Sequence, residues 1–165
     1  MNKKELQWDL EYRLRAAIAY SGYRHSFFVK LNVILCVVAL ASLWLSGYSA
    51  SGGGECLSFV LNVIGSLSLA LDVALNVKGL TGFWESMFDG YNSLFSEFLR
   101  VREKASAEEL SDLRFRLQKF DGRCKSTLNA LLLIARNVTC DQLGVPQYKN
   151  HIPWYKSLTS NFISW

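Results

Sequence analysis

Two long stretches of this sequence contain no charged residue and no histidine. The first covers residues 31–54, and the second covers residues 56–71, after which Asp72 interrupts the apolar run. A helix that crosses a bilayer needs about 20 mostly apolar residues, so the stretches predict two membrane spans, at about 27–47 and 56–77. The alternative, two core helices of a soluble bundle, is weaker because so small a bundle rarely buries helices that are apolar on every side.

The sequence also has few of the residues from which metal and catalytic sites are built. Histidine occurs only at His25 and His151, and the four cysteines are scattered without CxxC spacing. No cluster resembles a zinc site, so we expect no bound metal and no cofactor. The nucleophile-elbow, P-loop and dinucleotide-binding motifs are missing as well. We therefore expect no enzymatic activity and propose no catalytic residue.

Basic residues are absent from the segment between the two predicted spans. Residues 47–55, GYSASGGGE, contain neither Lys nor Arg, whereas residues 1–30 carry six of the 18 basic residues and the chain from Lys78 onward carries the other twelve. Basic segments stay on the cytoplasmic side of a membrane, so both termini are predicted to be cytoplasmic. The net charge of +4 is spread among acidic residues rather than gathered into a stripe, so no nucleic-acid partner is expected.

The remaining residues have helical periodicity. Residues 3–26 are polar but repeat leucine at helical spacing, and no proline separates them from the first span, which predicts one long helix. Apolar and mostly aromatic side chains recur every three or four positions through residues 80–99, typical of a helix with one packing face. Ser106 and Glu109 have the spacing of a capping box, which predicts that a new helix begins there.

The helix predicted after Ser106 carries a heptad pattern that continues to about residue 139. Its strongest apolar positions are Leu110, Leu113, Leu117, Phe120, Leu131 and Ile134. A repeat of this length predicts coiled-coil-like packing within a stalk or between subunits. The predicted fold is an all-α membrane protein in three parts. Residues 1–78 form an amphipathic helix and a transmembrane hairpin, residues 79–140 form an antiparallel cytoplasmic helical stalk, and residues 141–165 form a tail.

Polar and small residues share one face of the second span. They are Ser58, Asn62, Gly65, Asp72 and Asn76, and the first span has a weaker set that includes Asn32. An aspartate at the centre of a membrane helix costs about 2.5–3.5 kcal/mol, and less near a helix end. Two interpretations stay open. The small residues permit close helix packing, or Asn32, Asn62, Asp72 and Asn76 line an aqueous pathway, which two spans can form only in an oligomer.

One known family has a similar layout. The segment RLRAAIAYSGYRHSFFVKLNVILCVVALASLWL (residues 13–45), followed by a short loop, a second span and helices to about residue 140, resembles the SLATT family of bacterial two-span proteins. The resemblance implies a membrane effector of the bacterial inner membrane that kills or arrests phage-infected cells by forming pores or perturbing the bilayer. It also implies work with a sensor protein or a nucleotide signal, and it supplies no catalytic residue.

Three functional hypotheses follow from these patterns. The leading one is a homo-oligomeric effector that compromises the membrane in anti-phage defence or superinfection exclusion. The second is a non-conducting membrane adaptor whose cytoplasmic helices recruit a partner protein. The third is a small channel with a housekeeping role, which the sequence does not separate from the effector.

Overall fold

The structure, a computed structural model, describes residues 2–52, 54–124 and 127–162. These residues form helices and connections and contain no strand, which confirms the predicted all-α class. The helices are α1 (Lys3–Ser51), α2 (Glu55–Leu75), α3 (Val77–Val101), α4 (Ala107–Asp121), α5 (Asn129–Gln142), a single 3-10 turn (Pro146–Tyr148) and α6 (Trp154–Thr159).

The long N-terminal helix is confirmed, and it extends further than its sequence suggests. Although residues 47–51 read as part of a flexible loop, they stay helical to Ser51, whose hydroxyl donates to Tyr48 O at 2.7 Å. The amide of Gly54 donates to Ser49 O at 2.9 Å and turns the chain toward α2. The predicted nine-residue loop is therefore only a tight turn, and the glycine at position 53 lies outside the described residues.

A left-handed residue ends α2. Asn76 has φ 47° and ψ 49°, and its amide donates back to the carbonyls of Asp72 and Val73. Asparagine is among the few side chains that adopt this conformation at low cost. The second apolar helix thus ends at Leu75, slightly before the predicted limit at residue 77, and α3 begins directly after the turn.

The capping box is confirmed, but the single helix predicted to follow it is wrong. Ser106 Oγ accepts from the Glu109 amide at 3.2 Å, and the Glu109 carboxylate accepts from the Ser106 amide at 2.7 Å. The helix ends at Asp121, before Gly122, and the heptad pattern resumes only in α5. Leu128 is extended, and its amide donates to the Tyr20 hydroxyl at 3.0 Å instead of to a helical carbonyl.

The chain divides into two compact units. The hairpin unit comprises residues 25–83, and the bundle unit comprises residues 1–24 and 84–165. The boundaries pass through α1 and α3, so each of these helices contributes to both units. The grouping of the N-terminal residues with the C-terminal helices is not apparent from the sequence, which suggested a division near residue 78.

The bundle unit is built on leucines and aromatic side chains from α1, α3, α4 and α5. Its largest fully buried side chains are Phe98, Leu10, Leu14, Leu110, Leu117 and Leu131. Polar contacts tie the helices together: Gln7 Nε2 donates to Arg102 O, and Arg116 binds Glu97 through two contacts of 2.7 and 2.8 Å. Leu110, Leu113, Leu117 and Leu131 of the heptad pattern are buried within the chain itself, whereas Phe120 and Ile134 are half-buried.

Part of the predicted tail packs on the bundle unit. Arg24 Nη1 donates to Asn161 O at 2.9 Å, across 137 positions of the sequence. Asn137 and Asn150 exchange two hydrogen bonds of 2.8 Å each. These contacts join residues 150 and 161 of the tail to the rest of the bundle unit, and residues 163–165 lie outside the described residues.

Candidate functional site in the helical hairpin

Small side chains form the contact between α1 and α2 in the hairpin unit. Ala39, Ser42 and Ser46 of α1 are buried, as are Gly65 and Ser68 of α2. A Cβ atom at Gly65 would lie 3.2 Å from Ser42 Cβ, closer than ordinary packing allows. Small residues let helix backbones approach closely, which is how many membrane helices associate.

Serine hydroxyls add hydrogen bonds along this contact. The hydroxyls of Ser46 and Ser58 lie 2.8 Å apart, and Ser68 Oγ donates to Leu35 O at 2.9 Å. Part of the polar face predicted on α2 is thus occupied in packing against α1. The two helices run antiparallel, because Leu35, eleven positions before Ser46 on α1, is bonded to Ser68, ten positions after Ser58 on α2.

Asn32 and Asp72 lie one further turn along α1 and α2 from Leu35 and Ser68, which are joined by a hydrogen bond. Both side chains are partly buried, and each has one oxygen, Oδ1, that is buried without a hydrogen-bond partner. Buried polar atoms nearly always have a partner, so these two oxygens are exceptions within the described part of the hairpin unit.

The other predicted residues lie elsewhere. Asn62 is exposed on the side of α2 that does not contact α1, in an open groove of about 360 Å³ that also involves Phe59, Val63, Ser66, Leu67 and Ala70. Asn76 is the exposed cap at the end of α2, and its side chain lies against Gly79. Of the four intramembrane polar residues predicted from sequence, Asn32 and Asp72 are partly buried, whereas Asn62 and Asn76 are exposed.

Both helices of the hairpin are long and apolar enough to cross a membrane. Their apolar side chains point outward rather than into a core: Val73 is 79% exposed, Trp44 75% and Phe59 69%. Within the most apolar 18-residue stretch of each helix, only 17% is buried in α1 and only 11% in α2. The core helix of a soluble protein would have most of this surface covered.

The bundle unit has a separate cavity of about 410 Å³ that the sequence did not predict. Its lining combines Asp9, Tyr12, Arg13, Ala16, Ala17, Tyr20, Tyr91, Asp121, Cys124, Thr127, Leu132 and Arg136. These residues come from four helices and one connection, so no local pattern marks them. The only sequence signal was the aromatic face of α3, to which Tyr91 belongs.

Burial raises the pKa values of several ionisable groups that line this cavity. The Tyr91 hydroxyl donates to Asp121 Oδ1 at 2.7 Å. Burial raises the pKa of Asp121 above its ordinary value, although the Tyr91 hydrogen bond and the charge of Arg13 act in the opposite direction. Burial and the nearby Asp121 also raise the pKa of the Cys124 thiol, so this cysteine is not an activated nucleophile.

No group of three or more His, Cys, Asp or Glu side chains within the described ranges is arranged to hold a metal ion. The chain matches no protein-family model, no curated protein and no solved structure. The likeness of residues 13–45 and the following helices to SLATT proteins therefore rests on the residue pattern alone.

Proposed function

We propose that this protein is a homo-oligomeric effector of the bacterial inner membrane that forms a pore or disrupts the bilayer in anti-phage defence or superinfection exclusion. The observation that carries the proposal is a helical hairpin of membrane-spanning length whose outer surface is apolar and carries the exposed side-chain amide of Asn62. The defence role comes from the resemblance to SLATT proteins.

The apolar surface of the hairpin supports lipid as its surroundings. Keeping apolar surface in water costs about 25 cal/mol for every Å², and Trp44, Phe59 and Val73 are only three of the exposed side chains. In a bilayer the same side chains are solvated by lipid tails. The distribution of basic residues then places both termini in the cytoplasm.

Asn62 supports an oligomer. It lies in the interior of α2, beside Ser66 and among apolar side chains, and it faces away from α1. An amide without a partner in hydrocarbon costs several kcal/mol, whereas hydrogen bonds between neighbouring helices satisfy it. A second copy of the hairpin, seated on the groove around Asn62, supplies such a partner. Four leucines of the heptad pattern, Leu110, Leu113, Leu117 and Leu131, are already buried within one chain.

An oligomer is also what a pathway requires. Two helices cannot enclose an aqueous pore, but several hairpins can. In this proposal Asn62 lies between copies, and Asp72 and Asn76 lie near the cytoplasmic mouth. The trigger comes from a sensor protein, a nucleotide signal or the membrane itself.

Membrane depolarisation in bacteria that express the full-length protein tests this proposal. We expect the wild-type protein to depolarise cells during phage infection or overexpression, and Asp72→Leu and Asn62→Leu to abolish the effect at equal membrane abundance. Ser51→Ala, an exposed change at the turn, serves as the control and should leave depolarisation intact. If wild-type protein never depolarises cells, or is a monomer by mass in nanodiscs, the pore proposal fails.

The second candidate is a non-conducting adaptor. Phe115 favours it, because this aromatic side chain is 64% exposed on α4 of the bundle unit, opposite the buried leucines. Affinity capture with the full-length protein in detergent tests the idea. A defined partner that is lost with Phe115→Ala, in a protein that does not depolarise cells, would favour the adaptor over the effector.

A further inference from the structure

We propose that residues 154–162, at the end of the described tail, dock on the anionic headgroups of the same bilayer that the hairpin unit crosses. The side chains that carry this contact, which we call the aromatic patch, are Trp154, Tyr155 and Phe162. The inference rests on the membrane placement of the hairpin in the proposed function, and it adds a contact with lipid outside the two spans.

The first argument is the position of this segment in the bundle unit. Arg24 is the last residue of the bundle unit on α1 and Trp84 is the first on α3. Arg24 Cζ lies 5.2 Å from the centroid of the Trp84 ring, and Arg24 Nη1 donates to Asn161 O at 2.9 Å. The first span is predicted to begin at about residue 27, which is about 4.5 Å further along α1. Asn161 is therefore held close to the level expected for the headgroups.

The second argument is the exposure of the aromatic patch. One side of the segment is fixed to the bundle unit, because Ser160 is buried and α6 packs against α5. The aromatic side chains remain outside: Trp154 is 75% exposed, Phe162 is 68% exposed, and Tyr155 is exposed as well. The Trp154 and Tyr155 rings contact each other edge-to-face, with their centroids 6.2 Å apart. Tryptophan and tyrosine are enriched where a membrane meets water, because the ring is apolar and its polar group stays hydrated.

The third argument is the charge of the tail. Residues 142–165 contain two lysines and one histidine but no aspartate or glutamate. Lys149 pairs with Asp141 at 2.5 Å, whereas Lys156 belongs to α6 and follows the aromatic pair in the sequence. The guanidinium of Arg24 places another positive charge beside this segment. Anionic lipids attract basic residues, and interfacial aromatic side chains insert among their headgroups, so an anionic bilayer surface fits both features.

Tryptophan fluorescence of the full-length protein in nanodiscs tests the docking. The discs contain phosphatidylcholine and phosphatidylglycerol whose acyl chains carry bromine, a quencher, close to the headgroups. We expect these lipids to quench the part of the emission that is lost in Trp154→Phe. Trp8→Phe is the matched control: Trp8 is also exposed, but it precedes Arg24 on α1 by about 24 Å along the helix. The emission of Trp8 should therefore not be quenched.

Nanodiscs of phosphatidylcholine alone test the class of lipid. We expect the quenching of Trp154 to weaken in these discs, and Lys156→Gln to weaken it in the anionic discs. Quenching that is the same with and without phosphatidylglycerol would overturn the assignment of anionic headgroups.

Iodide in the buffer identifies what else surrounds the aromatic patch. Quenching of Trp154 by iodide but not by brominated lipid would mean that the patch stays in water. Quenching by neither would mean that a protein surface, such as a second copy, covers it, and either result would overturn the inference. These readouts need no conductance, so the docking can fail while the effector proposal stands. A protein that does not enter nanodiscs at all would instead contradict the membrane placement on which both proposals rest.

Discussion

At the residue scale, Asp121 gives the bundle unit a defined pH dependence. Because burial raises its pKa in the folded state, the folded protein binds this proton more tightly than the unfolded chain. The stabilisation is present at low pH and is lost as the pH rises through the folded-state pKa. The amide oxygen of Asp121→Asn still accepts from Tyr91, and the variant has no carboxylate to ionise. We therefore expect its stability relative to wild type to increase as the pH rises from about 4 to about 7.

Circular-dichroism melts of the full-length protein in detergent at both pH values measure this difference. Asp112→Asn, an exposed change on the same helix, is the control. A difference between Asp121→Asn and wild type that is the same at both pH values would contradict the assignment.

Substitutions at Asn76 distinguish the role of its backbone conformation from the role of its side-chain amide. Its left-handed conformation predicts that Asn76→Gly keeps the turn between α2 and α3, whereas Asn76→Leu strains it by about 1–2 kcal/mol. Thermal melts in detergent should therefore rank Asn76→Gly close to wild type and Asn76→Leu clearly below it. Equal midpoints for the two variants would show that the left-handed turn is not formed. Depolarisation by Asn76→Gly then tests the amide alone.

At the scale of elements, the α1–α2 contact depends on Gly65. A leucine there meets Ser42 and the α1 backbone, and overpacking of this kind costs about 1–3 kcal/mol. The Ser46 and Ser58 hydroxyls, 2.8 Å apart, offer a reporter. In a chain whose native cysteines are replaced by alanine, Ser46→Cys with Ser58→Cys should form a disulfide in membranes.

We expect adding Gly65→Leu to lower the yield of this cross-link strongly. Gly47→Leu is the matched control, since a side chain at Gly47 meets open space. Unchanged cross-linking with Gly65→Leu would contradict the packing described for the hairpin unit.

The start of α4 depends on the capping box. Replacing Ser106 by alanine leaves the Glu109 amide without its acceptor and costs about 1 kcal/mol. For a chain of this length, that loss lowers the melting temperature by about 2–4 °C. Ser111→Ala on the exposed side of α4 is the control, and equal melting temperatures for the two variants would show that the cap does not stabilise the helix.

The helices also show which features of the fold local sequence patterns can predict. Apolar runs and capping chemistry predicted α1, α2 and the start of α4, because those features act within a few residues. The break between α4 and α5 was missed because its partner is distant: the Leu128 amide bonds to Tyr20, 108 positions away. A heptad pattern shows which side chains are apolar, but it does not show where a backbone amide donates to a hydroxyl far away in the sequence.

At the scale of the whole molecule, the same limit applies to the candidate sites. The sequence predicted that Asn32 and Asp72 are polar residues in spans, but only the structure shows that each has a buried oxygen without a hydrogen-bond partner. It predicted that Asn62 shares a face with Gly65, whereas packing against α1 buries Gly65 and leaves Asn62 outside. The cavity of the bundle unit joins residues from opposite ends of the chain and had no local signature.

The proposals all require that lipid surrounds the apolar helices of the hairpin unit. Alkaline carbonate extraction of membranes from expressing cells, followed by ultracentrifugation without detergent, tests this most directly. We expect the full-length protein to remain in the membrane pellet, with peripheral proteins released as the control. Recovery of the protein as a monodisperse, detergent-free species in the supernatant would contradict the account.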